Sequence, residues 1–103
     1  MTKKTLDFNQ WQLDRLKDPN EAAAYLNEFL KDDGEGDYEE LLLIALRNIA
    51  TVHGMASVAE KSQLGRESLY KSLSGSGDPK LRTVTAVLSA LGLCLKVGVK
   101  DAA

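Results

Sequence analysis

Residues 55–75, with the sequence MASVAEKSQLGRESLYKSLSG, contain the side chains whose types and spacing best fit a chemical role. Their spacing predicts two short amphipathic helices joined by a tight turn. In the second helix Leu69 and Leu73 lie four residues apart on one face, which leaves the polar side chains between them for solvent. The major groove of DNA, about 12 Å wide, admits one such helix. The pattern therefore predicts a DNA-binding helix-turn-helix.

Eight polar side chains in and after this region are candidate DNA contacts. Arg66 fits a guanine edge through two hydrogen bonds, and Lys71 fits a guanine or a phosphate. Glu67 has two equally good roles, because it can accept a hydrogen bond from cytosine or pair with Lys71 four residues later. The serine and glutamine side chains suit phosphates, with helix capping and turn formation as alternative roles. The predicted DNA contacts are Ser62, Gln63, Arg66, Glu67, Ser68, Lys71, Lys80 and Arg82.

Other chemistry is poorly represented in the chain. His53 and Cys94 are the candidates for nucleophilic or metal chemistry, and they are far apart in sequence with no organised carboxylate partner. A single cysteine permits no internal disulfide and no zinc cluster, which fits the reducing cytoplasm. We therefore expect no enzyme activity, no metal and no cofactor. No stretch approaches the ~18 apolar residues of a membrane span, so we expect neither export nor a membrane partner.

The formal charge of the chain changes sign near Gly54. The 103 residues have a net charge of −2. Residues 1–54 contain 6 Lys and Arg against 11 Asp and Glu, whereas residues 55–103 contain 7 against 4. The basic part contains the predicted helix-turn-helix, which fits a protein that meets phosphates at one end. A chance distribution is the alternative, because the number of charges is small.

The chain has the length of one domain, and its periodicity predicts five helices. Asp18 and Pro19 form an N-cap and a first helical residue, which predicts a helix that runs to about Lys31. The acidic residues 32–36 form a loop by composition, and Gly54 ends the long apolar helix that follows. The helix-turn-helix supplies two more helices.

The fifth helix starts between Pro79 and Thr83 and ends before Gly92. A further short helical turn is predicted at residues 10–16. The expected fold class is all-α, with a short strand at residues 93–100.

The final segment changes from a helical to a two-residue period. Alternating apolar residues are typical of a half-buried strand. A lone strand needs a partner for its edge, and we expect the same strand of a second copy in a two-fold dimer. Pairing with residues 5–8 is the alternative. The predicted dimerisation residues are Leu93, Leu95, Val97 and Val99.

Four stretches match a known pattern: LKDPNEAAAYLNEFLKD (16–32), LLLIALRNIATVHG (41–54), SVAEKSQLGRESLYKSLSG (57–75) and DPKLRTVTAVLSALGLCLKV (78–97). Through them nearly the whole chain resembles the addiction-module antidote proteins, HigA-type antitoxins with an Xre-like helix-turn-helix. The resemblance implies a lambda-repressor-like domain that neutralises a RelE-like mRNA interferase and represses the operon of both proteins. The acidic residues 1–54 are then the expected toxin-facing surface, because ribosome-directed RNases are typically basic.

Two positions depart from the family pattern at the turn. The family usually has glycine where this chain has Gln63, and serine or threonine where it has Gly65. Gln63 must therefore adopt a positive φ or reshape the turn, at a cost of about 1 kcal/mol.

Two other functions fit the same residues, a stand-alone phage-type repressor without a toxin and a protein-interaction module whose helix-turn-helix is only a scaffold. The low net basicity favours the interaction module.

Overall fold

The computed structural model describes residues 10–30, 38–74 and 77–99, and these residues form six α-helices. The predicted all-α class is confirmed. Five of the helices are those predicted, and the first is the helical turn predicted at residues 10–16. The predicted acidic loop at residues 32–36 lies outside the described residues. The helices are α1 (Gln10–Arg15), α2 (Pro19–Leu30), α3 (Tyr38–His53), α4 (Met55–Ser62), α5 (Arg66–Ser72) and α6 (Leu81–Ala90).

The start of α2 is fixed by local chemistry. The Asn20 N–H donates to Asp18 Oδ1 at 3.2 Å, which is an N-cap bond. Pro19 is the first helical residue, a position whose N–H would have no partner within the helix, so the proline costs no hydrogen bond. The helix start predicted from these residues is confirmed. An ion pair of 2.7 Å between Arg15 and Glu21 spans the α1–α2 junction, but both side chains are about half exposed and add little stability.

The third helix is central to the core, because it packs against α1, α2 and α4. One face of α3 is fully buried through Ala45 and Ile49. Asn48 Nδ2 donates to the Tyr25 hydroxyl at 3.2 Å and so joins α3 to α2. Tyr25 also packs edge to face on Phe29, with ring centroids 5.3 Å apart. Burial raises the pKa of the Tyr25 phenol, and the hydrogen bond from Asn48 opposes part of that rise.

The long helix ends where the sequence predicted. Gly54 has a φ of 101°, which only a residue without a Cβ adopts readily. At this glycine α3 and α4 are bent by 102°. Within the described residues no single helix is long and apolar enough to cross a membrane, and α3 with α4 meets the length and composition test only as this bent pair.

The last helix closes the core against α4, and Val87, Leu88 and Leu91 are buried. Gly92 has a φ of 81° and ends the helical run, as predicted. Residues 93–99 differ from the prediction, because they carry no strand in the structure. The reason is physical: a strand is defined by its pairing, and no described residue of the same chain pairs with this segment. The alternative partner, residues 5–8, lies outside the described residues.

Candidate nucleic-acid interface

The corner between α4 and α5 consists of residues 63–65. Gln63 is left-handed, with φ 62° and ψ 32°. Its N–H donates to the Glu60 carbonyl at 3.2 Å, and the Leu64 N–H donates to the Ala59 carbonyl at 3.0 Å. These two bonds form a Schellman motif, which satisfies carbonyl groups at the end of α4. Of the two predicted alternatives, a positive φ at Gln63 or a reshaped turn, the structure has the positive φ.

The two residues after Gln63 connect this cap to α5. Leu64, which lies between the two helices, is partly buried and packs against the core. Gly65 is the N-cap of α5, and its carbonyl accepts a hydrogen bond from the Leu69 N–H at 2.9 Å. Its φ of −69° and ψ of 149° are open to any residue. The corner therefore requires an unusual backbone conformation at Gln63 and not at Gly65.

Helix α5 has one buried face and one polar, exposed face. Leu69 and Leu73, which follow each other by one helical turn, are completely buried. These two side chains hold α5 on the core. Tyr70 keeps 42% of its surface exposed and is the aromatic residue on this face of α5. The exposed polar residues of α5 that were predicted as DNA contacts are Arg66, Glu67, Ser68 and Lys71.

The other predicted contacts lie at the corner and at the start of α6. Gln63 is exposed, and so are Lys80, the N-cap of α6, and Arg82 in its first turn. Ser62 is different, because it is half-buried and its hydroxyl donates to the Val58 carbonyl at 2.6 Å. The backbone of α4 therefore already occupies the Ser62 hydroxyl. Seven of the eight predicted residues present exposed side chains.

The loop before α6 lies against the end of α5. A concavity between them, with a volume of about 420 Å³, is lined by Ser68, Lys71 and Asp78 among others. Gly77 lies so close to α5 that a Cβ there would be 2.5 Å from the Ser72 carbonyl oxygen. This close approach places the loop that leads to Lys80 beside α5. No local sequence pattern indicates this approach, since it depends on the tertiary position of the loop.

The cationic side chains of this region have no anionic partner among the described residues. The ion pairs that the described part of the chain contains join Arg15 to Glu21 and Lys17 to Asp14. Glu67 and Lys71, one predicted alternative, do not form an ion pair in the structure. The charge of Lys71 is therefore available to a ligand, although Asp78 places a carboxylate at the rim of the same concavity. We define this surface, α5 with residues 63, 80 and 82, as the polar face.

A second surface of the molecule is apolar. A groove with a volume of about 350 Å³ lies among α2, α3, α6 and residues 92–96, and we call it the apolar groove. Beyond it the alternating residues of the last segment are exposed: 50% of Leu95, 99% of Val97 and 97% of Val99. Sequence reasoning missed the groove because its lining comes from four separate segments. The lining includes Ala23, Leu26, Leu30, Leu42, Leu88 and Leu93.

The two residues considered for catalysis lie at different places. His53 lines a cavity with Lys61 and the end of α6, and its Nε2 is buried without a hydrogen-bond partner among the described residues. Cys94 is an exposed free thiol at the apolar groove. No group of three or more His, Cys, Asp or Glu in the described part of the chain could hold a metal ion.

The fold and the two surfaces define a small helical protein with one exposed polar helix and one exposed apolar segment. A family model described as probable addiction module antidote protein matches residues 5–99. An uncharacterized protein of Haemophilus influenzae is 39% identical over 97 residues, which are 94% of this chain and 94% of that protein. No solved structure is significantly similar to the chain. The chain belongs to the family of probable addiction module antidote proteins. Membership supports an antitoxin role and implies a toxin partner in general.

Proposed function

We propose that the protein is the cytoplasmic antitoxin of a toxin–antitoxin pair, that it neutralises a RelE-like mRNA interferase and that it binds operator DNA as a homodimer to repress its own operon. The observation that carries the proposal is the polar face, in a chain of the antidote family. Two fully buried leucines, Leu69 in α5 and Leu73 at its C-cap, hold that helix on the core, and its four predicted contacts are exposed. The protein acts by binding alone and needs no catalytic group.

In this proposal α4 and α5 form an Xre-like helix-turn-helix, and α5 is its recognition helix. Arg66, in the first turn of α5, binds a guanine through two parallel hydrogen bonds, and Lys71 binds a guanine or a phosphate. Lys80 and Arg82 bind the phosphate backbone beside the groove. Two copies related by a two-fold axis place their recognition helices about 34 Å apart, which matches two half-sites one turn of DNA apart.

The toxin half of the proposal depends on charge and on the family. Residues 1–54, which include α1, α2 and α3, contain 11 acidic against 6 basic residues. A basic RNase would be attracted to this part of the chain and steered away from the basic part that meets DNA. The two partners would then occupy different parts of one molecule.

The DNA half is tested by fluorescence anisotropy with the duplex upstream of the gene and a scrambled duplex of the same length. We expect tight binding to the natural duplex that weakens about a thousandfold between 50 and 200 mM salt, as for ~6 phosphate contacts. Arg66→Ala should weaken specific binding by about 5- to 150-fold, equivalent to 1–3 kcal/mol. Arg47→Ala removes an arginine of α3 that is also exposed and should change nothing.

Two results would contradict the DNA half. Equal, salt-insensitive binding of both duplexes would favour a protein-interaction module whose helix-turn-helix is only a scaffold. Equal losses from Arg66→Ala and Arg47→Ala would place the DNA on another surface. The assay is repeated with the toxin present, so that an antitoxin that binds only as a complex is recognised.

The toxin half is tested by co-expression with the small gene adjacent to it. We expect the two products to co-purify and the antitoxin to restore growth and translation in cells that express the toxin. Arg66→Ala should retain this rescue, because the polar face is assigned to DNA. Specific operator binding without co-purification or rescue would favour a stand-alone phage-type repressor.

A further inference from the structure

The apolar groove and the last segment of the chain form one continuous apolar surface. Leu93 packs against the core at the end of the groove, while Val97 and Val99 project from the same segment with almost their whole surface exposed. Cys94 and Lys96, the intervening residues, are also exposed. An exposed apolar surface of this kind is typical of an interaction site.

The backbone of this segment is available for pairing. The Leu93 N–H donates to the Leu88 carbonyl at 2.8 Å, and beyond Leu93 no backbone hydrogen bond forms among the described residues of the segment. After Gly92 no residue in 93–99 has a positive φ, so this segment is free of the left-handed conformation that would interrupt a strand. Unpaired N–H and C=O groups next to apolar side chains are a template for strand addition.

We propose that a second copy of this chain covers the surface, and that residues 93–97 of the two copies pair antiparallel about a two-fold axis at Leu95. The proposal rests on the proposed homodimer and assigns its register and its contact with the apolar groove. In this register each Leu95 lies opposite its counterpart, and the partner subunit's Val97 lies opposite Leu93. The apolar side chains of both strands then share one face, which lies beside the groove.

Charge and position exclude the neighbouring registers. An axis at Lys96 would place two like charges directly opposite each other, which destabilises a strand pair. An axis at Val97 moves the pairing away from residues 92–96, which line the groove, and leaves Leu93 without an apolar partner. An axis at Cys94 pairs residues 92–96 and leaves Val97 outside the paired strands. The axis at Leu95 covers the groove and pairs the apolar residues nearest to it.

A second copy suits this surface better than a different protein does. The same alternating residues supply both strands of the pair, so the segment is complementary to itself. A two-fold interface brings the same patch together from both subunits. The partner subunit's Val97 then covers the end of a groove whose floor is formed by leucines of α2, α3 and α6.

A scan of single cysteines tests the register. The natural chain carries its one thiol at residue 94. Three further chains combine Cys94→Ser with Leu95→Cys, Lys96→Cys or Val97→Cys. All four positions are exposed, so the substitutions leave the core intact. Residues opposite each other in an antiparallel pair have Cα atoms about 5 Å apart, which a disulfide can join.

The proposed axis predicts that only the cysteine at residue 95 cross-links efficiently under mild oxidation. Its band on a non-reducing gel should shift from 11.2 kDa to twice that mass. The cysteine at residue 97 is the matched control, because its two copies would be displaced along the strands by four residues, about 13 Å. The natural cysteine and the one at residue 96 should also stay largely uncross-linked.

Every other outcome contradicts the proposed register, and each one indicates a different arrangement of the two copies. Preferred cross-linking at residue 94, 96 or 97 moves the axis to that residue, and equal cross-linking at all four positions indicates parallel strands. Light scattering of the reduced chains measures whether they are dimers, and so distinguishes failure of the proposed register from failure of the proposed function. A dimer that does not cross-link at any position keeps the proposed homodimer and excludes this interface. A monomer that binds its operator excludes the homodimer as well.

Discussion

The polar face and the last segment of the chain are both exposed, yet they expose opposite chemistry. At α5 the aliphatic residues Leu69 and Leu73, the second of which is the C-cap, are completely buried, and the exposed side chains other than Tyr70 are polar. In residues 93–99 the apolar residues Val97 and Val99 are themselves exposed. The first surface is complete within one chain and suits a polar, charged partner. The apolar surface of residues 93–99 contributes to stability only when another chain covers it.

The sharpest test of this contrast is truncation of one apolar side chain in each region. Leu69→Ala removes a fully buried side chain, and we expect the free energy of unfolding to fall by about 2–5 kcal/mol. Val97→Ala should change it by less than about 0.5 kcal/mol at concentrations where the protein is monomeric. Urea denaturation followed by circular dichroism measures both. Comparable losses would mean that Val97 packs on its own chain and would remove the contrast.

Addition of one methyl group distinguishes the same two regions. A Cβ at Gly77 would lie 2.5 Å from the Ser72 carbonyl oxygen and 2.8 Å from that of Lys71, so Gly77→Ala must displace the loop from α5. We expect a loss of about 1–3 kcal/mol in the free energy of unfolding. Gly98→Ala is the control, because nothing lies within 4 Å of a Cβ at that position.

The same pair of variants tests the polar face. Displacement of the loop moves Lys80 relative to α5, so Gly77→Ala should weaken operator binding at temperatures where the variant remains folded. Gly98→Ala should bind as the natural chain does. Unchanged operator affinity in folded Gly77→Ala would show that the position of this loop does not matter for binding.

The sequence predicted what local patterns determine. The N-cap at Asp18 and the break at Gly54 each follow from the residue itself and its immediate neighbours. The positive φ at Gln63 was one of two alternatives that followed from the family resemblance, because the family usually has glycine at that position. The inward face of α5 follows from two leucines one helical turn apart. These features include the corner and most of the polar face, so a large part of that surface was predictable.

Features that need distant segments to meet were not predictable. The apolar groove combines α2, α3, α6 and residues 92–96, and no single stretch contains its pattern. The close approach of Gly77 to α5 has the same origin. The strand at residues 93–100 was predicted from an alternating pattern, but the pattern specifies a strand only together with a partner. The pairing of that strand therefore remains a prediction.

Removal of a hydroxyl group that lies outside both surfaces tests whether the polar face and the last segment are independent of the rest of the core. Tyr25→Phe removes the hydroxyl that accepts a hydrogen bond from Asn48, and we expect a loss of about 0.5–1.5 kcal/mol in the free energy of unfolding. Operator affinity and cross-linking at residue 95 should not change, because Tyr25 lies in neither surface. A change in either would show that the α2–α3 contact is coupled to that surface.

The same tyrosine predicts a pH dependence. Burial raises the pKa of Tyr25 in the folded state above its ordinary value near 10. The folded state therefore holds the phenol proton more tightly than the unfolded state does. This contribution to stability is fully present below pH ~10 and is lost as the pH rises through the folded-state pKa. Denaturation between pH 8 and 11 should show a steeper loss for the natural chain than for Tyr25→Phe, and parallel curves would contradict it.

The smallest expected effect is at the corner itself. Gln63→Gly removes the strain of a left-handed non-glycine residue, about 1–2 kcal/mol, but adds freedom to the unfolded chain worth about 0.5–1 kcal/mol. We therefore expect a net gain in the free energy of unfolding of about 0–1.5 kcal/mol. Gly65→Ser is the matched control, because its backbone is unstrained and serine caps only a few tenths of a kcal/mol better than glycine.

The operator affinity of the same two variants identifies the role of Gln63 at the corner. Equal affinity of Gln63→Gly and the natural chain would mean that the corner only supports α5, and that Gln63 contacts no phosphate. A gain in stability with a loss of specific binding would mean that the Gln63 side chain, which is exposed beside α5, binds the operator. The strained backbone at residue 63 would then be retained for recognition, although glycine at this position would make the folded protein more stable.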